Sequence, residues 1–250
     1  MPGFFWRQSS SLCPKLPESK LIYLKIILIS LFIFWQIYLI FLAKHPTRDI
    51  EVYPNTNPSP SIIKGVTLGQ TFVPTRDGLS QIEVMMGTYD RENNKDIEFS
   101  LWSLAPQKKL LRKIKFNAST VKNNLFHKFS FPPVRQSKGK KFCFQLSSPG
   151  STPENSICVW LNRKNIYPQG EFLYNEHQQP ADVVFRSYAQ RPIIAELRTI
   201  ISKNRGIMGQ LWFFVTILVI FEVLQVAVFI LLLNWLIKIF GKREPQTDEN

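Results

Sequence analysis

IEFSLWSL, residues 97–104, places Ile97, Phe99 and Leu101 on one face of an extended chain and Glu98 and Ser100 on the other. Successive side chains of a strand point to opposite faces, so this alternation reads as a β-strand with one buried side. FCFQLS, residues 142–147, repeats the pattern with Phe142, Phe144 and Leu146. A sheet with one apolar face needs a second sheet to cover it.

Working outward, short runs rich in aromatic and branched residues lie at 67–73, 79–87, 110–116, 126–131, 141–147, 156–161, 171–174 and 182–188. Turn formers separate them, among them Asp77-Gly78, Gln136-Ser137-Lys138-Gly139 and Ser148-Pro149-Gly150. This spacing predicts a mainly β, jelly-roll-like β-sandwich over residues 66–190 rather than strands alternating with helices. Ahead of it, residues 43–65 contain HPTRDIEVYPNTNPSPS, whose Pro and Asn content predicts a linker. Behind it, residues 191–208 carry Ile193, Ile194, Leu197, Ile200 and Ile201 at helical spacing between Pro192 and Gly206, as an amphipathic connecting helix would.

Farther out the chain turns apolar on both sides. Residues 21–42, LIYLKIILISLFIFWQIYLIFL, hold one charge, Lys25. At ~1.5 Å per residue they reach ~33 Å, enough to cross a hydrocarbon core of ~30 Å. Residues 211–240 are longer than crossing needs and leave room for tilt. The first run exceeds the ~7–15 residues of a secretory signal and exits through Phe41-Leu42-Ala43-Lys44, which lacks a small-x-small cleavage pattern, so it reads as an uncleaved signal anchor. Cys13, a juxtamembrane thiol ahead of it, is open to acylation.

Two transmembrane helices put residues 1–20 and 241–250 on the same side of the membrane. Arg7, Lys15, Lys20 and Lys25, with Lys238, Lys242 and Arg243, predict that this side is the cytoplasm and that the sandwich stands outside a plasma (inner) membrane. Lys44, Arg48, Arg198, Lys203 and Arg205 lie near the other face and pull the opposite way.

GQTFVPTRDGLSQIEVMMGTY, followed by HKFSFPPV, FCFQLSSPG, YPQGEFLYN and VVFRSY, resembles the jelly-roll sandwiches of the galactose-binding-like superfamily. It is similar in particular to extracytoplasmic sandwich domains of bacterial membrane proteins of surface-polysaccharide assembly. The resemblance spans roughly residues 66–188, rests on strand rhythm and turn phrases, and implies a binding module in the cell envelope without naming its ligand.

Catalysis needs a nucleophile with its base, paired carboxylates, or clustered metal ligands. The three His of the chain, His45, His127 and His177, have no Cys or carboxylate at a recognised metal spacing, and no phosphate loop, dinucleotide fingerprint or G-x-S-x-G elbow occurs. Asp90, Asn93, Asn94 and Asp96 in TYDRENNKD do not follow the spacing of a calcium loop. The expectation is a protein that is not an enzyme and carries no metal or cofactor.

Sugar recognition combines an aromatic platform with polar side chains that bond hydroxyls. Tyr89, Asp90 and Arg91 on one loop, and Trp160, Asn162, Arg163 and Tyr167 around another, are the candidates. For Trp160, as for Trp102, filling the space between sheets is the plainer role. Cys143 and Cys158 fall in successive strands, where either a disulfide or two separate buried thiols would fit.

The chain has a formal net charge of +13, much of it from KKLLRKIK (108–115) and SKGKK (137–141). Anionic lipid headgroups of the bilayer or acidic envelope polymers suit that surface better than nucleic acid does, and a merely solvated basic face is the bland alternative. Within the spans, polar groups are costly unless paired. Counting inward, Gln36 and Glu222 lie at the same depth of ~22 Å, and Lys25 and Asn234 match at ~5 Å. Glu222 and Gln225 are three apart on one helix face, which is therefore expected to pack on Gln36 or on a partner's span.

Together these features predict a membrane-anchored accessory or scaffold protein whose outer sandwich binds a glycan or a protein during envelope polysaccharide assembly or export. The alternatives are a structural subunit of a membrane complex docking through its helices, and an envelope enzyme whose site is unrecognised.

Overall fold

The computed structural model describes residues 18–203 and 210–241. The expectations placed on Arg7, Cys13, Lys15, Arg205, Gly206, Lys242 and Arg243 lie outside the described residues. The chain falls into two units, an apolar helical one and a β unit, Ala43–Glu196.

In the helical unit α1 spans Glu18–Ile37 and runs into a π-helical turn at Tyr38–Leu42. At the other end of the chain α2 covers Ile193–Lys203 and α3 covers Leu211–Gly241. Lys20–Leu42 and Val215–Ile239 are long and apolar enough to cross a membrane. Both match the spans expected from the sequence.

The strands, in chain order, are β1 (Lys44–Glu51), β2 (Asn57–Pro58), β3 (Thr67–Phe72), β4 (Leu79–Gly87), β5 (Asp96–Ser103), β6 (Lys109–Asn117), β7 (Leu125–Val134), β8 (Phe142–Ser147), β9 (Cys158–Asn162), β10 (Phe172–Tyr174), β11 (His177–Gln179), β12 (Asp182–Val183) and β13 (Phe185–Pro192). One sheet has the order β1-β13-β4-β9-β12, with β7 also on β4 and β2 on β9. The other has the order β11-β10-β3-β8-β5-β6. All pairs are antiparallel. Only β1 and β2, β5 and β6, β10 and β11, and β12 and β13 follow one another within one sheet; at every other connection the chain changes sheet, so most consecutive strands lie on opposite sides of the core. That crossing pattern makes the sandwich jelly-roll-like.

Phenylalanine dominates the contact between the sheets. Phe99 of β5 stacks on Phe129 of β7 at 4.1 Å, and Phe185 of β13 meets Phe72 of β3 at 5.7 Å and Phe144 of β8 at 5.4 Å. Ile97, Phe99, Leu101, Phe142, Phe144 and Leu146 are all buried, as their alternation requires. Apolar area removed from water stabilises by about 25 cal/mol per Å², which is why these large rings fill the interface.

Two expectations need correction. Residues 43–65 are not a plain linker, because Lys44–Glu51 pairs with β13 from Lys44↔Pro192 to Glu51↔Arg186 and buries Ile50. Pro46 obscured this strand; β1 is an edge strand, where a missing backbone N–H costs no ladder bond. The last strand is also not continuous over 182–188. It breaks at Val184, whose N–H turns to Trp160 O at 2.8 Å, and then extends to Pro192.

Candidate functional site

The hairpin of β10 and β11 turns through Asn175 and Glu176, both at left-handed φ of 48° and 67°. Phe172 and Tyr174 lie two apart and so share a face, and Gln179 sits opposite Phe172 in the ladder and shares it too. That face borders the end of β9. Pro60, Leu161, Arg163, Phe172, Tyr174, Gln179, Pro180 and Ala181 together line a groove of about 280 Å³. Phe172, Leu161 and Ala181 are buried and form its floor. The side chains of Arg163, Tyr174 and Gln179 make no hydrogen bond or ion pair among the described residues. An apolar floor with a few unengaged polar groups is the general construction of a small-ligand site.

Only Arg163 of the second sequence-derived cluster belongs to this groove. Asn162 is 1% exposed and structural: its Nδ2 donates to Pro54 O at 2.7 Å and its Oδ1 accepts from Lys164 N at 2.8 Å. Tyr167 is structural as well. Its hydroxyl accepts from Val73 N at 3.1 Å and donates to Val73 O at 3.3 Å, and its ring meets Phe185 edge-on at 6.0 Å. Its backbone N–H donates to Asp182, a fully buried carboxylate that also accepts from Gln70. Burial holds the Asp182 carboxyl above the usual carboxylate range.

Trp160 is half-buried and outside the core, with Nε1 donating to Asn124 Oδ1 at 2.9 Å, so the space between the sheets is not its place. Gly87 lies beside it, and an added Cβ there would come within 2.9 Å of the Cys158 sulfur.

The loop of Tyr89, Asp90 and Arg91 is largely occupied with holding itself. Tyr89 and Asp90 sit at φ 56° and 54°, Asn123 donates to Asp90 at 2.6 Å, and the Arg91 guanidinium lies 4.8 Å from the Tyr89 ring centre and donates to Pro153 O. Burial, with the Cys158 thiol beside it, pushes the Tyr89 hydroxyl up to about 12. A shallow cleft of about 360 Å³ borders this loop at Thr88, Arg91, Glu92 and Asn93, and Asn93 Oδ1 is buried without a partner.

Cys143 and Cys158 are free, buried thiols. β8 and β9 follow one another in sequence but belong to opposite sheets, so the strand pairing that would have joined them does not form. Burial raises both thiols above their ordinary range, Cys143 to about 12, which removes thiolate reactivity. Among the described residues no three His, Cys, Asp or Glu gather as a metal site requires.

In the helical unit Lys25 Nζ donates to Asn234 Oδ1 at 3.0 Å, and Gln36 Nε2 donates to Gln225 Oε1 at 2.7 Å. Phe32 stacks on Phe229 at 4.3 Å between them. The depth-matched Lys25–Asn234 pair thus forms, whereas Gln36 bonds Gln225 rather than Glu222. Glu222 shares the packed face, but its Oε1 is buried without a hydrogen-bond partner.

The Tyr174 and Gln179 contribution was missed because neither lies near Arg163 in sequence; the Asn-Glu turn between two short runs was the available signal. Compared with protein-family models and with curated proteins, the chain matches none.

Proposed function

We propose that this chain is a membrane-anchored, non-catalytic accessory or scaffold protein whose sandwich holds a saccharide in the groove of Arg163, Tyr174 and Gln179. The observation that carries the reading is that groove itself: an aromatic side and apolar floor beside three polar groups with no internal partner. Sugar rings present apolar faces and a rim of hydroxyls, and this surface offers a complement to each. The free guanidinium favours saccharides bearing carboxylates, since Arg engages them through two parallel hydrogen bonds.

The basic residues flanking the two helices support a sandwich outside the cytoplasm. The resemblance to galactose-binding-like sandwiches supports a place in envelope polysaccharide assembly or export. The test is saturable binding of the detergent-solubilised full chain to a panel of immobilised envelope glycans. Tyr174→Ala and Arg163→Gln abolish that binding if the reading holds, while no binding by a chain with a folded sandwich overturns it.

A second reading, a structural subunit that docks on a partner's span, is favoured by Glu222, whose buried carboxylate oxygen has no donor among the described residues.

A further inference from the structure

The positive charge of the sandwich is not spread evenly. Three loops meet at one end of it: residues 73–78 between β3 and β4, 104–108 between β5 and β6, and 135–141 between β7 and β8. Backbone bonds tie them together, Gly139 N to Pro74 O at 2.9 Å and Leu104 N to Lys141 O at 2.9 Å. The same end receives the terminal strands, because Leu79 is opposite both Ala189 and Val134 and Gln190 N donates to Gly78 O at 2.8 Å. Here the chain enters the sandwich at Lys44 and leaves it at Pro192. Leu42, the last residue of the first candidate span, is two residues before Lys44.

Lys44, Lys109, Arg135, Lys138, Lys140 and Lys141 are exposed at this end, and none has a side-chain partner among the described residues. The acids nearby are already engaged. Asp49 and Glu196 are paired with Arg76, Glu196 also lies near Arg191, and Glu176 pairs with Lys108. Asp77 accepts the backbone N–H of Lys138 and remains as a single exposed carboxylate in the loops. At the opposite end the loops 88–95, 118–124 and 148–157 balance Asp90, Glu92 and Glu154 against Arg91, Lys95 and Lys122. A cation cluster of this kind costs repulsion wherever it stands alone and gains attraction beside an anionic surface.

We infer that the loop end formed by residues 104–109 and 135–141 binds the headgroups of anionic lipids. The tether argues for lipid over a soluble polyanion: the cations belong to the end that the chain enters at Lys44, two residues after the first candidate span closes at Leu42. Exposed cations near a charged bilayer gain about five-fold in association each, an effect lost over a Debye length of ~10 Å at 0.1 M salt.

The experiment reconstitutes the full chain into nanodiscs of phosphatidylcholine alone or with phosphatidylglycerol and follows acylation of individual lysines by mass spectrometry. Lys138, Lys140 and Lys141 are expected to react several-fold more slowly in the anionic discs, with Lys122 at the far end unchanged. High salt of about 0.5 M abolishes the difference, and Lys109→Gln with Arg135→Gln shrinks it. Equal rates in the two discs overturn the inference. So does slowing of Lys122 by the same factor, or slowing that appears in neutral discs only when dextran sulfate is added.

Discussion

Replacing Tyr167 by Phe separates a structural from a binding role at a residue whose sequence context suggested the latter. The ring is kept, with its edge contact to Phe185 at 6.0 Å, so the core loses no volume. The hydroxyl is lost, and with it the bonds to Val73 N at 3.1 Å and Val73 O at 3.3 Å. A buried backbone group left unpaired costs about 1–3 kcal/mol, and Val73 is half-buried, which places the loss near the middle, about 2 kcal/mol. For a unit of this size that corresponds to a fall of roughly 4–8 °C in melting temperature. Pulse proteolysis of the full chain in detergent across a urea series reads unfolding of the sandwich without interference from helical signal. Affinity for any groove ligand stays unchanged, because Tyr167 does not line the groove. A variant as stable as the parent within about 0.5 kcal/mol, or one that is stable but has lost ligand binding, refutes the assignment.

Gly170→Ala drives a Cβ to 1.9 Å from Thr71 O and 2.8 Å from Tyr167 Cε1, so the loop must shift; a loss of about 1–3 kcal/mol or more in the same urea assay is expected. His127 stacks on Phe116 at 4.6 Å and meets Phe129 at a tilt at 5.1 Å, and burial lowers its pKa from the ordinary 6.5. The unfolded chain therefore takes the proton first: His127 costs nothing in stability above pH 6.5, and stability declines as the pH falls through 6.5 toward the folded value. His127→Phe flattens that part of a stability–pH curve, and an unaltered slope contradicts the argument. A double-mutant cycle of Gln36→Leu and Gln225→Leu, read as helix-hairpin unfolding in detergent, yields a coupling of about 0.6 kcal/mol and at most ~1.7. A value of zero means that the 2.7 Å bond adds nothing.

Much of the architecture was legible because its signals are local. Phe99 and Phe144 announce buried faces by alternating with polar neighbours, and a run of more than twenty apolar residues has few destinations other than a bilayer. The match of Lys25 with Asn234 followed from counting rise per residue along two antiparallel helices. β1 was hidden because its alternation is weak and Pro46 stands inside it; only the partner strand β13 gives that stretch a reason to be extended.

The binding residues were harder. Asn162, Arg163 and Tyr167 are neighbours in sequence, yet one caps a turn, one reaches a groove and one braces the core. Tyr174 and Gln179 join Arg163 only through the β10–β11 hairpin, and Cys143 and Cys158 are separated because consecutive strands enter opposite sheets. The sequence by itself determined most of the strands, which of their faces are apolar and which runs suit a membrane, since periodicity and length act within a segment. Only the tertiary structure decided which side chains stay free for a ligand, since that depends on whether a distant strand supplies a partner for each polar group.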